Sequence, residues 1–329
     1  MNGPKVLGEQ KKDVQPTEAN KAIVRTLLTG FLVPIVCGLP ELMVVKKQLK
    51  LRTQDGLLLA RHKTSLNAFL SGAAMGWVSG GFKAISYANK EPICNGIGHI
   101  RGHSKENAYT HNEIDRILGA LVIGSIDAVS THYPSSLRAL SWTNPKASAA
   151  LNHMTFLAGL KKIYRIGFTT RILKASINAG CYVAITPWIE KDINAILPPS
   201  ISKAVAILES GIFSGFMCTA MDVIGVHIYK EAVLTNKKVT APSLLKMSQG
   251  LYRHNGLKIF ISGAVWNVLV TTLAFATMTT VEQYVNSELF ATTYRESYSF
   301  FKSSFNKEPG KPRQPDAPIK NQDGPARGD

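Results

Sequence analysis

Residues 211–285 open with Gly211-Ile-Phe-Ser-Gly215 and Ala220-Met-Asp-Val-Ile-Gly-Val-His227. A polar, basic segment follows, then Arg253-His-Asn-Gly-Leu-Lys-Ile-Phe-Ile-Ser-Gly263 and an apolar run ending in Val281-Glu-Gln-Tyr284. Two apolar stretches, each long enough for a membrane helix of about 20 residues, flank a short amphipathic one. An acid, Asp222, sits late in the first stretch, and Gly256 and Gly263 frame the start of the last.

The same order can be traced upstream. An apolar run from Asn20 to Val45 contains Gly30, Pro34, Gly38, Pro40 and Glu41. Helix breakers are tolerated in a membrane helix when neighbours satisfy the freed backbone groups, and a carboxylate at that depth faces a bundle interior. A basic stretch follows, then a short apolar segment from Leu66, then a second span from Gly80 to about Arg101 that Lys83, Lys90 and Glu91 interrupt. Ile117 to about Leu140 reads as a third span with Gly119, Gly124, Asp127 and Pro134, and Leu151–Ile166 as an amphipathic segment. Gly167 to about Pro187 is the fourth span, about Ala204 to Ile228 the fifth, and Ile261 to Val281 the sixth.

The spacings suggest an internal repeat. Gly80, Gly167 and Gly263, which open the even-numbered spans, are 87 and 96 residues apart. Gly72, Gly159 and Gly256 are separated by 87 and 97, and the late polar positions Glu41, Ser136 and Asp222 by 95 and 86. Charge placement agrees: residues 46–63, 138–165 and 230–258 hold six, five and six Lys/Arg, against only Asp55 and Glu231 as carboxylates. Cationic loops alternate in sequence, which puts them on one face of a six-span protein. The expected architecture is an all-α membrane protein with six transmembrane helices in three repeats of about 90 residues, joined by short surface helices. Its parts are a flexible tail, 1–19, repeats over 20–105, 106–196 and 197–287, and a C-terminal tail, 288–329. That tail is Pro-rich and expected to be disordered from about residue 306, where Pro309, Pro312, Pro315, Pro318 and Pro325 fall among Lys, Asp and Gly.

Composition supports a membrane class. A net charge of +16 accompanies 45% hydrophobic and only 18% charged residues, a poor fit to a nucleic-acid binder and a good one to apolar helices with basic loops. Cys37, Cys94, Cys181 and Cys218 are scattered singly, so neither a disulfide framework nor a zinc site is expected. His99 and His103, near Cys94, have a spacing that could hold a metal on one helix face, but no further ligand converges. Residues 1–17 carry no apolar or arginine-rich leader pattern, so no cleavable targeting peptide is expected. No Ser/His/Asp ordering, nucleophile elbow or dinucleotide fingerprint is present, so neither an enzyme nor a cofactor is expected.

The pattern resembles the mitochondrial carrier family, in which three modules each join an odd helix, a surface helix and an even helix. Odd helices of that family end in Pro-x-[Asp/Glu]-x-x-[Lys/Arg]. Here Leu39-Pro40-Glu41-Leu-Met-Val44 keeps the acid, with the proline one place late, and Tyr133-Pro134-Ser-Ser136-Leu-Arg138-Ala139 keeps the proline and loses both charges. Ala220-Met-Asp222-Val-Ile-Gly225 keeps the acid alone. The resemblance covers about residues 20–287, and no copy of the motif is intact. It implies a multi-pass, monomeric protein of the mitochondrial inner membrane that exchanges solutes by alternating access, with lipid partners including cardiolipin at the surface-helix glycines. It also implies a charge network that closes one end of the cavity. Glu41 and Asp222 are its acids, and Lys46, Arg138 and His227 lie one or two residues from the vacated base positions.

Family substrates bind midway along the even helices. The positions matching that level are Lys90 in Asn89-Lys-Glu-Pro92, Lys174 with Asn178, and Thr271 one turn after Asn267. Two lysines converging in a poorly screened cavity favour an anionic metabolite: a nucleotide, phosphate or carboxylate. For Lys90 the alternatives are snorkelling to the interface or pairing with Glu91. A different class of function is a carrier-like scaffold that binds a partner or lipid and transports nothing, which the broken motifs favour.

Overall fold

The computed structural model describes residues 15–50, 66–102, 112–143, 151, 153–165, 167–235 and 241–305. Every regular element among them is helical. The helices are α1 (Glu18–Lys50), α2 (Leu66–Ala88), α3 (Lys90–Ile100), α4 (Glu113–Thr143), α5 (Phe156–Tyr164), α6 (Phe168–Ala179), α7 (Thr186–Ile193), α8 (Pro199–Thr235), α9 (Ala241–Asn255), α10 (Ala264–Val285) and α11 (Glu288–Phe305). A π-helical turn, Gly180–Ile185, joins α6 to α7 without a break, and a 3-10 turn, Leu257–Ile259, precedes α10. Thr17–Ser287 form one compact unit and α11 falls outside it.

Within that unit the long elements close into a ring in chain order. Helix α1 packs on α2, α2 and α3 on α4, α4 on α6 and the π turn, that composite rod on α8, α8 on α10, and α10 back on α1. Contacts across the ring are sparse by comparison. Glycines set the closest approaches. A Cβ added at Gly30 of α1 would lie 3.0 Å from Gly81 Cα of α2, and one at Gly124 of α4 would lie 2.6 Å from Ser176 Cα of α6. At Gly215 of α8 it would collide with Val268 Cα of α10. Removing the side chain lets two helix backbones meet, which is how tight helix pairs form where no hydrophobic effect drives association.

Three helical segments are long and apolar enough to cross a membrane: Glu18–Val44, Pro199–Gly225 and Leu257–Val285. Apolar side chains fill the core, Ile123 and Leu140 of α4 among them, yet many others face outward while polar ones face in. Helix α4 exposes Ile114, Ile117, Leu121, Val122, Ile126 and Val129 and buries Asp115, Asp127, Thr131, His132 and Ser136. On α1 the exposed stripe is Ile23, Leu27, Phe31, Ile35 and Leu39, at helical spacing. An apolar exterior around polar inward positions is the distribution a bilayer stabilises.

Several boundaries differ from the sequence reading. Gly167 and Gly263, with φ of 71° and 82°, do stand just before the helices they were expected to open. Gly80 does not: it lies in the middle of α2, where a Cβ would be 2.6 Å from Pro34 Cγ. The second rod therefore begins at Leu66, and the separate short segment expected there is its first turns. Pro34 and Pro40 lie inside α1 and Pro134 inside α4, and neither helix stops at them. The Pro-rich segment from 306 and residues 1–14 lie outside the described residues.

Candidate functional site

Five rods contribute to one polar cavity within the ring, with about 750 Å³ of empty space, part of it open to solvent. Helical spacing brings its lining together. Glu41 follows Pro34 and Cys37 on one face of α1, and Lys83 follows Gly76, Ser79 and Gly80 on one face of α2. Arg171, Lys174, Ala175 and Asn178 face it from α6, and Asp127, Ser135 and Arg138 from α4. Helix α10 supplies Asn267, Val270, Thr271, Ala274 and Phe275. Positions three, four and seven apart share a helix face, which explains why each rod presents a short polar ladder.

Two ion pairs tie rods together beside this space. Arg138 Nη1 lies 2.5 Å from Glu41 Oε2, joining α4 to α1, and Lys174 Nζ lies 2.5 Å from Asp222 Oδ1, joining α6 to α8. Glu41, Arg138 and Asp222, read from the sequence as gate residues, are thus all in ion pairs. Asp222 is paired with a lysine that the sequence reading had assigned to the solute. Lys46 and His227 carry side chains outside the described residues. A third pair lies away from the cavity lining: Lys90 Nζ is 2.7 Å from Glu282 Oε2 and 4.8 Å from the centroid of the Tyr182 ring. Lys90 therefore links α3 to α10, with Glu282 as its ion-pair partner across the ring.

The remaining expected binding residues also engage neighbouring helices. Asn178 Oδ1 accepts hydrogen bonds from Ser214 Oγ at 2.6 Å and Cys218 Sγ at 3.3 Å. Asn267 Nδ2 donates to the Gly215 carbonyl at 3.0 Å and to Thr219 Oγ1 at 3.2 Å, and Thr271 Oγ1 donates to the Asn267 carbonyl. Buried amides satisfied in this way hold helices in register.

Cavity residues that sequence reasoning passed over are the more exposed electrostatically. Lys83 has no carboxylate partner among the described residues; its ammonium sits 5.6 Å from the Tyr87 ring centroid. Arg171 Nη2 donates to Thr131 Oγ1 at 2.5 Å and to Ser135 Oγ at 3.3 Å, while its Nε has no hydrogen-bond partner among the described residues. Thr131 Oγ1 is in turn 3.0 Å from Asp127 Oδ1, so a hydroxyl stands between the guanidinium and the buried acid. Ser79 Oγ and Ser135 Oγ, 2.8 Å apart, extend this chain to α2. Among the described residues Arg138 and Lys174 are neutralised at contact, whereas Lys83 and Arg171 are not, and Asp127 lies one hydroxyl away from Arg171. Against Glu41, Asp127 and Asp222 the four cations leave a positive excess of one charge in this partly enclosed space. The sequence signals were present: Lys83 lies one turn beyond Ser79, and Arg171 one turn before Lys174.

The surface segment α5 is docked through aromatic contacts. His132 Nε2 lies 3.1 Å from the Ile163 carbonyl, and the Tyr164 and Phe168 rings pack edge-on to it at 5.1 and 5.3 Å. Tyr164 donates its hydroxyl to the Val129 carbonyl, and burial pushes that hydroxyl's pKa up, countered in part by Arg171. It therefore stays protonated, and a donor, across the physiological pH range.

Among the described residues no three His, Cys, Asp or Glu side chains cluster at metal-binding distance. No protein-family model matches the chain, and no curated protein matches it.

Proposed function

We propose that the protein is a membrane carrier for a small anionic metabolite, with six spans in three repeats around a central cavity, in the manner of the mitochondrial carriers. The observation that carries this reading is the cavity itself: a polar space inside a closed ring of apolar-faced rods, where Lys83 and Arg171 have no carboxylate partner at contact among the described residues. A planar oxyanion matches a guanidinium edge, and an ammonium adds a point charge beside it. Carboxylates, phosphates and nucleotides are the solutes of this chemistry. The inner mitochondrial membrane is the location that goes with the reading.

The glycine seams support the three-fold plan. Gly30, Gly124 and Gly215 are 94 and 91 residues apart, and the residues they meet, Gly81, Ser176 and Val268, are 95 and 92 apart. The ion pairs support alternating access. Glu41–Arg138 joins α1 to α4 past α2 and Lys174–Asp222 joins the adjacent α6 and α8, both next to the cavity, while Lys90–Glu282 joins α3 to α10 beyond it. Opening one end requires its pairs to separate, and a bound anion can compensate a released cation.

The experiment is uptake of labelled nucleotides, phosphate and dicarboxylates into liposomes containing the purified, folded protein. Saturable uptake of one class is expected, and uptake of none overturns the carrier reading. A second reading, a carrier-like scaffold that moves nothing, is favoured by one observation. Lys174, Asn178, Asn267 and Thr271 are all engaged by neighbouring groups of the protein. The same assay separates the two.

A further inference from the structure

Helix α11, Glu288–Phe305, is separated from the end of α10 by two residues, and α10 closes one of the segments apolar enough to cross a membrane. Ser287 Oγ, in the connection, donates to the Tyr284 carbonyl at 2.6 Å. At 18 residues α11 is not itself among the membrane-crossing candidates. Its composition is divided by face. At roughly 100° per residue, the rings of Phe290, Tyr294, Tyr298 and Phe301 fall within about 80° of arc. On the same basis Glu288, Thr292, Arg295, Glu296 and Ser299 occupy about 100° on the opposite side. The rings form a ladder, with centroids 6.0 Å apart for Phe290–Tyr294 and 6.4 Å for Tyr294–Tyr298. Phe290 is buried and Tyr294 half-buried, while Tyr298 and Phe301 remain 45% and 59% exposed. The hydroxyls of Thr292, Thr293 and Ser299 donate back to helix carbonyls, which lowers the polarity the helix presents.

Resting on the reading that α10 spans a bilayer, we propose that α11 lies along the membrane surface with the exposed end of its aromatic face, Tyr298 and Phe301, in the lipid headgroup–acyl boundary. Three features point to lipid as the occupant of that face. The helix begins where the chain leaves a span, so its first turn is already at the interface. Tyrosine is enriched at that depth because its ring prefers the acyl boundary and its hydroxyl the headgroups. The charges Glu288, Arg295, Glu296 and Lys302 sum to zero, so attachment depends on apolar area and rings rather than on anionic lipid.

The test uses the full chain in phosphatidylcholine nanodiscs, with the four native cysteines replaced by Ala and single nitroxide labels at Tyr298→Cys, Phe301→Cys, Thr292→Cys and Ser299→Cys. Labels at 298 and 301 should show several-fold higher oxygen-to-nickel accessibility ratios than labels at 292 and 299, unchanged when anionic lipid is added. Equal ratios at the four positions would overturn the proposal. A label at Val265→Cys, on the exposed face of α10, separates the two levels. Water accessibility there means the span reading has failed, whereas lipid accessibility there with none at 298 and 301 means only the surface helix has. In the cysteine-containing chain, a benzoylphenylalanine placed at Tyr298 or Phe301 should crosslink to lipid. Crosslinks confined to protein, whether a second copy or another segment of the same chain, would overturn it as well.

Discussion

Asp222 Oδ1 lies 2.5 Å from Lys174 Nζ, so the acid late in α8 and the base in the first turns of α6 form one ionic unit between two rods. The two side chains are 18% and 24% exposed. Losing one partner strands a partly buried charge, while exchanging the two preserves the pair. Lys174→Asp and Asp222→Lys should each lower stability by about 1–3 kcal/mol, less than for a fully buried pair because solvent still reaches both groups. The double exchange should recover most of that loss. Thermal unfolding of the purified protein in detergent checks this, and absence of recovery would show that the contact is not energetically coupled.

If transport is of an anion, the cations without carboxylate partners should govern affinity. Lys83→Gln and Arg171→Gln should raise the KM for uptake by about tenfold or more, the effect of losing one charge-assisted hydrogen bond. Lys90→Gln, remote from the cavity lining, should leave KM within about twofold of the wild type. The reverse ranking in liposome uptake would return the binding role to Lys90.

Backbone contact at glycine leaves no room for a methyl group. Gly215→Ala and Gly124→Ala should destabilise by about 1–3 kcal/mol through overpacking against Val268 and Ser176. Gly38→Ala meets nothing within 4 Å and should be neutral or slightly stabilising, since alanine is the better helix former. Thermal shifts of the three variants give the comparison directly.

Topology follows from the loops. Single cysteines at Lys50, Lys146 and Lys238, all in basic connections, should react with an impermeant maleimide from the same side of sealed vesicles. Protection of one while the others react would break the six-span arrangement.

Hydropathy and glycine spacing located α1, α4, α8 and α10 closely, because each is long and carries its polar residues sparsely. The second rod was harder to read for a physical reason. Lys83 and Lys90 lower its average hydropathy, yet one lines the cavity and the other meets Glu282, and a linear average does not register direction. Gly80 misled for a related reason: a glycine needed for close approach to Pro34 looks, in sequence, like one needed for a positive φ. Acids deep in apolar runs marked Glu41 and Asp222 as paired, while the identity of each partner depended on contacts between distant segments. Glu282 and Lys90 are 192 residues apart. Asp127 is visible as an acid in the third span, but its link to Arg171 is not, because a single threonine hydroxyl, Thr131, connects them and no motif encodes that.

The glycine seams join α1 to α2, α4 to α6 and α8 to α10, whereas Glu41–Arg138 and Lys174–Asp222 bridge from one of these pairs to another, and Lys90–Glu282 runs from α3, just beyond α2, to α10. The two kinds of joint respond differently to water. An ion pair can be dissolved by hydration or by a competing charge, but a backbone-to-backbone contact offers neither a foothold. Water entering the cavity would therefore compete at Glu41–Arg138 and Lys174–Asp222, which stand beside it, and find nothing to displace at the three backbone seams, so each glycine-joined helix pair behaves as one stave of a barrel.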